Sequence, residues 1–519
     1  MLEMNTLNDT TWDVLISGTG LPQSLLALAL SRSGKRVLHT DKNDHYGGPD
    51  AALSLQEAED WAKKVNEEST FGPFECASVW RLPTLETKDK TSLSFSRAYT
   101  LSLSPQIIYT RSKLLSSLVS SRIYRQLEFQ AVGSWWVSRH GGHDGAQSQT
   151  EPQSRKLQRV PGSREDVFAD DTLTMKSKRS LMKLLRYLSS SDEGDSVPSE
   201  ESSLSLPDFL HSMFQIPSDL YDPLSSLCLS LLSLSQTSAG SAIPKIKRHL
   251  QSIGVFGPGF SSVLPKWGGC SEIAQVACRA CAVGGGIYAL NKKLERVQPV
   301  DGSHGLLDAY FADGERVSTN YLVGSEWDLP AGAQRTRLLT LQKVSRCILI
   351  VSSPLDTVFP STSENGPASA ATVVIAPGTM DEPPVYLTLH SSDTGECPLG
   401  QCIIYGAVLQ APEKGPPRID SAVKTLLDSM DPTARVLWKL QYTQLGCLDT
   451  SNSRQDVLRG AFDQILLFSP PYLDLEFNDC MIDEVRHVWK EIMGEDVEES
   501  KFLLFEDRED TSEEPPDIQ

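Results

Sequence analysis

The chain has 519 residues, 39 % of them hydrophobic, and a formal net charge of −19 at pH 7. That length allows two to four domains with a sizeable core. The acidic balance argues against nucleic-acid binding, which needs a basic surface, and no apolar run reaches the ~18 residues of a membrane span.

The start, Met1-Leu-Glu-Met-Asn5, lacks the basic region and apolar core of a signal peptide. A βαβ unit follows. Residues 14–16 form an apolar strand, Gly18 and Gly20 a turn, residues 25–30 a helix, and residues 36–39 a second strand ending in Asp41. An acid about twenty residues past the glycines is the Rossmann layout. The third glycine position, however, holds Gln23, beside Pro22. Gln23 adds bulk where helix and strand pack closely, and Pro22 removes a backbone donor from the helix N-terminus that would face a pyrophosphate. The fold signal is therefore intact while the cofactor signal is damaged, and no bound cofactor is expected.

Residues 49–105 are mixed, with a helix expected at 54–65. From residue 106 the spacing of Leu114, Leu115, Leu118, Val119 and Ile123 is helical. A polar interruption over 138–158 precedes a helix at 173–188. A run of Ser, Asp and Glu over 189–205 has the composition of a disordered loop. Helices resume at 207–214 and 220–234. Strands are expected at 286–290, 317–323, 347–351, 372–376, 385–389 and 402–409, where β-branched and aromatic residues concentrate, and a helix at 422–429. The acidic end reads as a mostly disordered tail. The expected architecture is α/β, with mixed sheets in a Rossmann-type domain built from 12–105 and 246–490. An all-helical domain over 106–245 is inserted into it, and the tail covers 491–519. Ten scattered cysteines fit a reducing cytosol. Cys278 and Cys281 form a C-x-x-C that reads as two buried thiols on a helix rather than a metal site. No G-x-S-x-G, H-E-x-x-H or Walker A motif is present.

Three longer stretches carry a resemblance. Val37-Leu-His-Thr-Asp-Lys-Asn-Asp-His-Tyr-Gly-Gly48 is one. Trp267-Gly-Gly-Cys-Ser-Glu-Ile-Ala-Gln275, running on to Cys278-Arg-Ala-Cys-Ala-Val-Gly-Gly-Gly-Ile-Tyr-Ala-Leu290, is the second. Both resemble signature regions of the superfamily of Rab GDP-dissociation inhibitors and Rab escort proteins. Val167-Phe-Ala-Asp-Asp-Thr-Leu-Thr-Met-Lys-Ser-Lys-Arg-Ser-Leu181 resembles the escort branch more than the inhibitors. Beyond about residue 300 the resemblance is thin.

The resemblance implies the flavoprotein-like fold of the Rab GDP-dissociation inhibitors without the flavin, and a non-catalytic chaperone of Rab GTPases. An escort protein binds a new GDP-bound Rab and presents it to the Rab geranylgeranyltransferase heterodimer. It then delivers the lipidated product to a membrane from the cytoplasm. The alternatives are a dissociation inhibitor that recycles prenylated Rab, and a flavin-dependent oxidoreductase. Tyr46, Glu272 and Arg279 match the Rab-binding platform, with Tyr46 as an aromatic anchor and the two charges facing opposite charges on the GTPase. Without the resemblance, Tyr46 reads as a turn residue and the charges as a solvated helix face. Ala289 stands where the inhibitors carry a bulkier methionine, so that contact is expected to be lost. Phe168 and Arg179 match the transferase-binding pair. Leu181, Leu184, Leu185 and Leu188, with Leu227, Cys228, Leu231 and Leu232, are the implied walls of an isoprenoid pocket. Their periodicity alone says core. Gly18, Gly20 and Asp41 are the vestigial dinucleotide turn, and the basic run Pro244-Lys-Ile-Lys-Arg-His249 reads by default as a solvated loop, the alternatives being a patch for an acidic Rab surface or for a membrane headgroup.

Overall fold

Val14, Leu15 and Ile16 are buried on both faces of the strand Thr10–Ser17, as the centre of a parallel sheet requires. A computed structural model of the chain describes residues 7–67, 72–83, 92–138, 157–161, 173–190, 197–300, 302, 305–334, 341–361, 366–448, 458–494 and 496–505. Thr10–Ser17 pairs in parallel with Val37–Thr40 on one side and Arg316–Gly324 on the other. Ile287–Ala289 extends the parallel set beyond Val37–Thr40, and Ile465–Leu467 extends it beyond the C-terminal half of Arg316–Gly324. Leu294–Pro299 and Leu307–Phe311 add an antiparallel meander, and the whole is an eight-stranded sheet. The helix Leu21–Arg32 is buried nearly all round. It is clasped by Cys270–Val283 and Cys480–Met493 in one apolar cluster.

A second, ten-stranded sheet is almost wholly antiparallel. Its strands include Phe74–Arg81 at one edge, Val436–Gly446, Gln342–Val351, Cys402–Val408, Val385–His390, Ala371–Ala376 and Phe129–Ser138. The helices Met175–Ser190, Leu206–Phe214, Tyr221–Ser226 and Ala239–Ser252 form a layer against it. Their leucines share a core with Val132, Trp135, Val373 and Ile375 of the sheet. Ser205 and Ser238 cap two of these helices, each hydroxyl accepting from a backbone N–H three residues on.

The α/β class, both sheets and every strand expected from composition are present. The domain limits differ. The span 106–245 is not all helical, because Phe129–Ser138 belongs to the large sheet and the helical layer runs on to Ser252. Trp135 and Trp136 belong on a pleated surface, where they pack across strands. Parts of the expected loops are ordered elements. Leu157–Arg159 pairs with the end of Phe129–Ser138, and Ser199–Ser202 is a helical turn. The helix expected over 220–234 stops at Ser226. The first part of the expected tail is packed: Phe502 and Leu503 are buried, Phe502 lies against Trp489, and the Phe505 N–H donates to the Ser120 carbonyl. Residues 139–156, 191–196 and 506–519 lie outside the described residues.

Candidate functional site

The chain's own side chains occupy the ligand positions of the Gly turn, although Gly20 and Gln23 border a cavity of about 70 Å³ on the side of Asp50 and Glu484. Gly18 adopts φ +90°, and a Cβ there would come within 2.3 Å of the Asp328 carboxylate. Gln23 folds back over Gly20, its Oε1 lying 2.6 Å from where a Cβ would stand, and its Nε2 donates to Asp328 at 3.1 Å. Burial pushes the Asp328 carboxyl up to about 6. Asp41 is equally occupied. One of its carboxylate oxygens accepts from the Thr19 N–H and hydroxyl at 2.7 and 2.6 Å, and the other accepts from the Asn43 N–H and side-chain amide. A ribose hydroxyl has no free acceptor at Asp41, and a pyrophosphate meets Gln23. These residues do not fit a dinucleotide.

The same network builds a surface. The Gly47 N–H donates to the Thr19 carbonyl and hydroxyl, so the loop carrying Tyr46 hangs from the turn. The Asn291 and Lys292 N–H groups donate to the carbonyls of Asn43 and Asp41, and the Asp41 N–H donates to Ala289. The two long sequence motifs are thereby stitched together. Tyr46 is half-buried, edge-on to Tyr288 with ring centroids 6.2 Å apart, and burial raises its phenol. Gly47, at φ +106°, comes close to Ser271, which places the Tyr46 loop at the head of Cys270–Val283. Glu272 lies in the first turn of that helix and Arg279 two turns on. Arg279 Nη2 and Glu272 Oε1 are 3.0 Å apart. The spacing thus makes the two charges an ion pair with each other, with Arg279 exposed. Burial raises the Glu272 carboxyl, and Arg279 pulls it back.

Sequence reasoning missed His39 and Tyr288. His39 is buried beneath Tyr288, with centroids 4.6 Å apart, and hydrogen-bonded to the Gly18 carbonyl. Burial brings its imidazole down to about 4. Its place in a buried strand was the available signal. Cys278 and Cys281 are free, buried thiols on the helix. Burial pushes Cys278 up to about 11.

In the helical layer an apolar cavity of about 40 Å³ is lined by Leu181, Leu184, Leu185, Leu188 and Leu227. Leu220, Leu224, Ile246 and Leu250, which were not singled out from the sequence, also line it, with Leu173, Pro223, Gln158, Val160 and Pro161. Cys228 and Leu231 are buried in the shared core but do not line it, and Leu232 lines a separate small cavity. Arg179 is exposed on Met175–Ser190. Phe168 lies outside the described residues. The basic run is neither a loop nor an outward patch. Lys245 Nζ binds Asp474 at 2.9 Å and Glu476 at 3.4 Å, and Arg248 binds Asp479 at 2.8 Å, fastening Ala239–Ser252 to the segment before Cys480–Met493.

A parallel dinucleotide-type sheet joined to a large antiparallel sheet is the flavoprotein-like class, here with its Gly turn filled. The chain belongs to the GDP dissociation inhibitor family, whose model matches residues 7–501. A Rab proteins geranylgeranyltransferase component A of Saccharomyces cerevisiae is 30 % identical over 81 % of this chain and 64 % of that protein. The same-named protein of Candida albicans is 28 % identical over 77 % of this chain and 59 % of its own length. The matches therefore take in less than two thirds of these two relatives. Guanosine nucleotide diphosphate dissociation inhibitor 1 of Arabidopsis thaliana is 25 % identical over 67 % of this chain and 69 % of its own. Among solved structures, a Rab GDI from Plasmodium falciparum has TM-score 0.64 at 20 % identity, covering 93 % of this chain and 98 % of that one. An oxidoreductase from Methanosarcina mazei has TM-score 0.52 at 14 % identity, covering 89 % and 94 %. Both share the fold.

Proposed function

We propose that the chain is a Rab escort protein: it docks GDP-bound Rab GTPases on the Tyr46–Glu272–Arg279 surface and serves as the non-catalytic accessory component of Rab geranylgeranyltransferase. The observation that carries this is the joining of the Tyr46 loop to the Glu272 helix above a Gly turn whose ligand positions are filled from within. A turn that cannot take a dinucleotide is still a rigid base for a loop. The names of the yeast relatives favour the escort reading over that of a dissociation inhibitor. An aromatic with a hydroxyl suits an interface anchor, and the exposed Arg279 sets orientation and on-rate more than affinity.

On this reading, Arg179 and Phe168 contact the transferase, and the leucine cavity receives the isoprenoid. The cavity is too small for a geranylgeranyl chain as it stands, so the chain enters by parting the helices. Each buried CH₂ contributes about 0.8 kcal/mol, enough for partial burial to compete with a membrane and permit delivery there. Among the described residues no helix is long and apolar enough to cross a membrane.

Reconstituted Rab prenylation with purified transferase tests the proposal. Lipid transfer should rise when this protein is added. Transfer at the level without an escort, together with weak binding of unprenylated Rab and tight binding of prenylated Rab, would instead establish a dissociation inhibitor.

A further inference from the structure

One ledge of the molecule carries three large apolar side chains that face solvent. Trp267 is 42 % exposed, Phe95 73 % and Leu399 91 %. All three hang from the loop that follows Val385–His390. The Trp267 N–H donates to the Thr394 carbonyl, and a Cβ on Gly395 would lie 2.5 Å from the indole, so the ring rests on bare backbone. Phe95 lies between Ser92, whose carbonyl accepts from Gln401 Nε2, and Tyr99, whose hydroxyl donates to Gln401 Oε1. Leu399 belongs to the turn closed by the Gln401 N–H and the Pro398 carbonyl.

The ledge is rigid. Below it, Glu396 is fully buried and receives hydrogen bonds from the Tyr405 hydroxyl at 3.0 Å and from His390 Nδ1 at 2.7 Å. The Thr100 N–H donates to the Glu396 carbonyl and so fixes the Phe95 side. Trp267 holds φ +62°, a conformation that costs a bulky non-glycine residue free energy and is kept where neighbours impose it.

The ledge is tied to the docking loops through buried backbone. Trp267 precedes Glu272 by five residues, a reach of at most about 18 Å. Gly268, between them, packs so closely on Ala52 that a Cβ would come to 2.5 Å, and Ala51 in turn lies against Gly47 beside Tyr46. Charge on the ledge is balanced: Lys266 pairs with Glu128 at 3.2 Å and stacks on Trp267, while exposed Arg97 and Asp393 offset one another in sign. Such a surface lacks the cationic excess that draws anionic lipid and has the aromatic content of an interface core.

We propose that Trp267, Phe95 and Leu399 form an apolar extension of the docking surface, covered by the same GTPase that engages Tyr46 and Glu272. This rests on the proposed function. Tyr46 and Glu272 give orientation, and the ledge supplies desolvated area, with Trp267 as its anchor.

The test titrates GDP-loaded, unprenylated Rab against the full chain and three variants: Trp267→Ala, Phe95→Ser/Leu399→Ser, and Tyr46→Ala. Thermal melting checks that each is folded. The expected result is a loss of about tenfold or more in affinity for Trp267→Ala and for the double variant. If Trp267→Ala does not fold, the double variant of exposed residues carries the test. Loss with Tyr46→Ala and wild-type affinity in both ledge variants overturns the ledge and leaves the docking surface standing. Wild-type affinity in all three overturns both. Unchanged Rab affinity, with vesicle binding that the ledge variants abolish, overturns the proposal in favour of a membrane contact.

Discussion

Asp41 shows how one residue changes its work while keeping its place. At the end of the second strand it stands where an acid would hold a ribose, yet its two oxygens accept from Thr19 and Asn43. Thr19 in turn receives the Gly47 N–H, so the acid bears on Tyr46 through a single intermediary. Asp41→Asn keeps the shape but removes the charge and turns one of the two acceptor oxygens into a donor facing donors. Hydrogen bonds to a charged group contribute about 1.5–3 kcal/mol each, so the variant is expected to lose about 2 kcal/mol or more in urea unfolding and to bind Rab more weakly. Wild-type stability in that experiment would remove Asp41 from the scaffold. Glu272 and Arg279 carry a related lesson. Their two-turn spacing puts them on one face, and that face lets them pair with each other before any partner arrives.

At the scale of elements, the helix Ala239–Ser252 is held in two ways. Its apolar side joins the leucine core. Its basic run reaches the buried acids Asp474 and Glu476 and the more open Asp479. Removing one partner of a buried pair leaves an uncompensated charge and costs about 3–5 kcal/mol, so Lys245→Ala should lower the urea midpoint strongly. A surface patch would give almost no change. His249 adds a pH dependence. It is buried between Trp135 and Tyr109, and burial brings its imidazole from about 6.5 down to about 3. The unfolded chain therefore takes up a proton that the folded chain refuses. The stability His249 permits is complete above about pH 6.5 and falls as pH drops toward 3, by about 2 kcal/mol at pH 5. Glu476, raised by burial in the same cluster, acts in the opposite sense above about pH 4.5, within the same range. His249→Phe should lose less stability than the wild type between pH 7.5 and 5, and parallel losses would refute this assignment.

At the scale of the whole molecule, the two sheets form the frame of a flavin enzyme with its ligand turn filled from within. Gln23 and Asp328, 305 residues apart in the chain, close the turn together. Added flavin adenine dinucleotide is expected to leave the melting temperature unchanged and to produce no retained visible flavin band after gel filtration. A retained band would restore the oxidoreductase alternative.

The βαβ start, the broken Gly turn, the strands rich in Val and Ile, and the two motifs carrying Tyr46, Glu272 and Arg279 were all legible in sequence. Each depends on local rules: two-residue or 3.6-residue periodicity, turn chemistry, or an ordered string of residues. The strand Phe129–Ser138 was not, because its pairing partners lie far away in the chain and its neighbours are helical. The basic run was misread for the same reason. Charge pattern cannot say whether a cation meets water or a carboxylate about 230 residues later. Nor can periodicity tell which leucines border a cavity: Leu227, which caps the helix ending at Ser226, lines it, and Leu231, four residues beyond, does not. The sequence by itself determined the class of fold and that a dinucleotide would fit badly. Only the tertiary structure decided that Gln23, Asp328 and Asp41 fill the turn and that Trp267 stands on Gly395 facing solvent. These outcomes depend on contacts between residues distant in the chain, and packing rather than local propensity sets them.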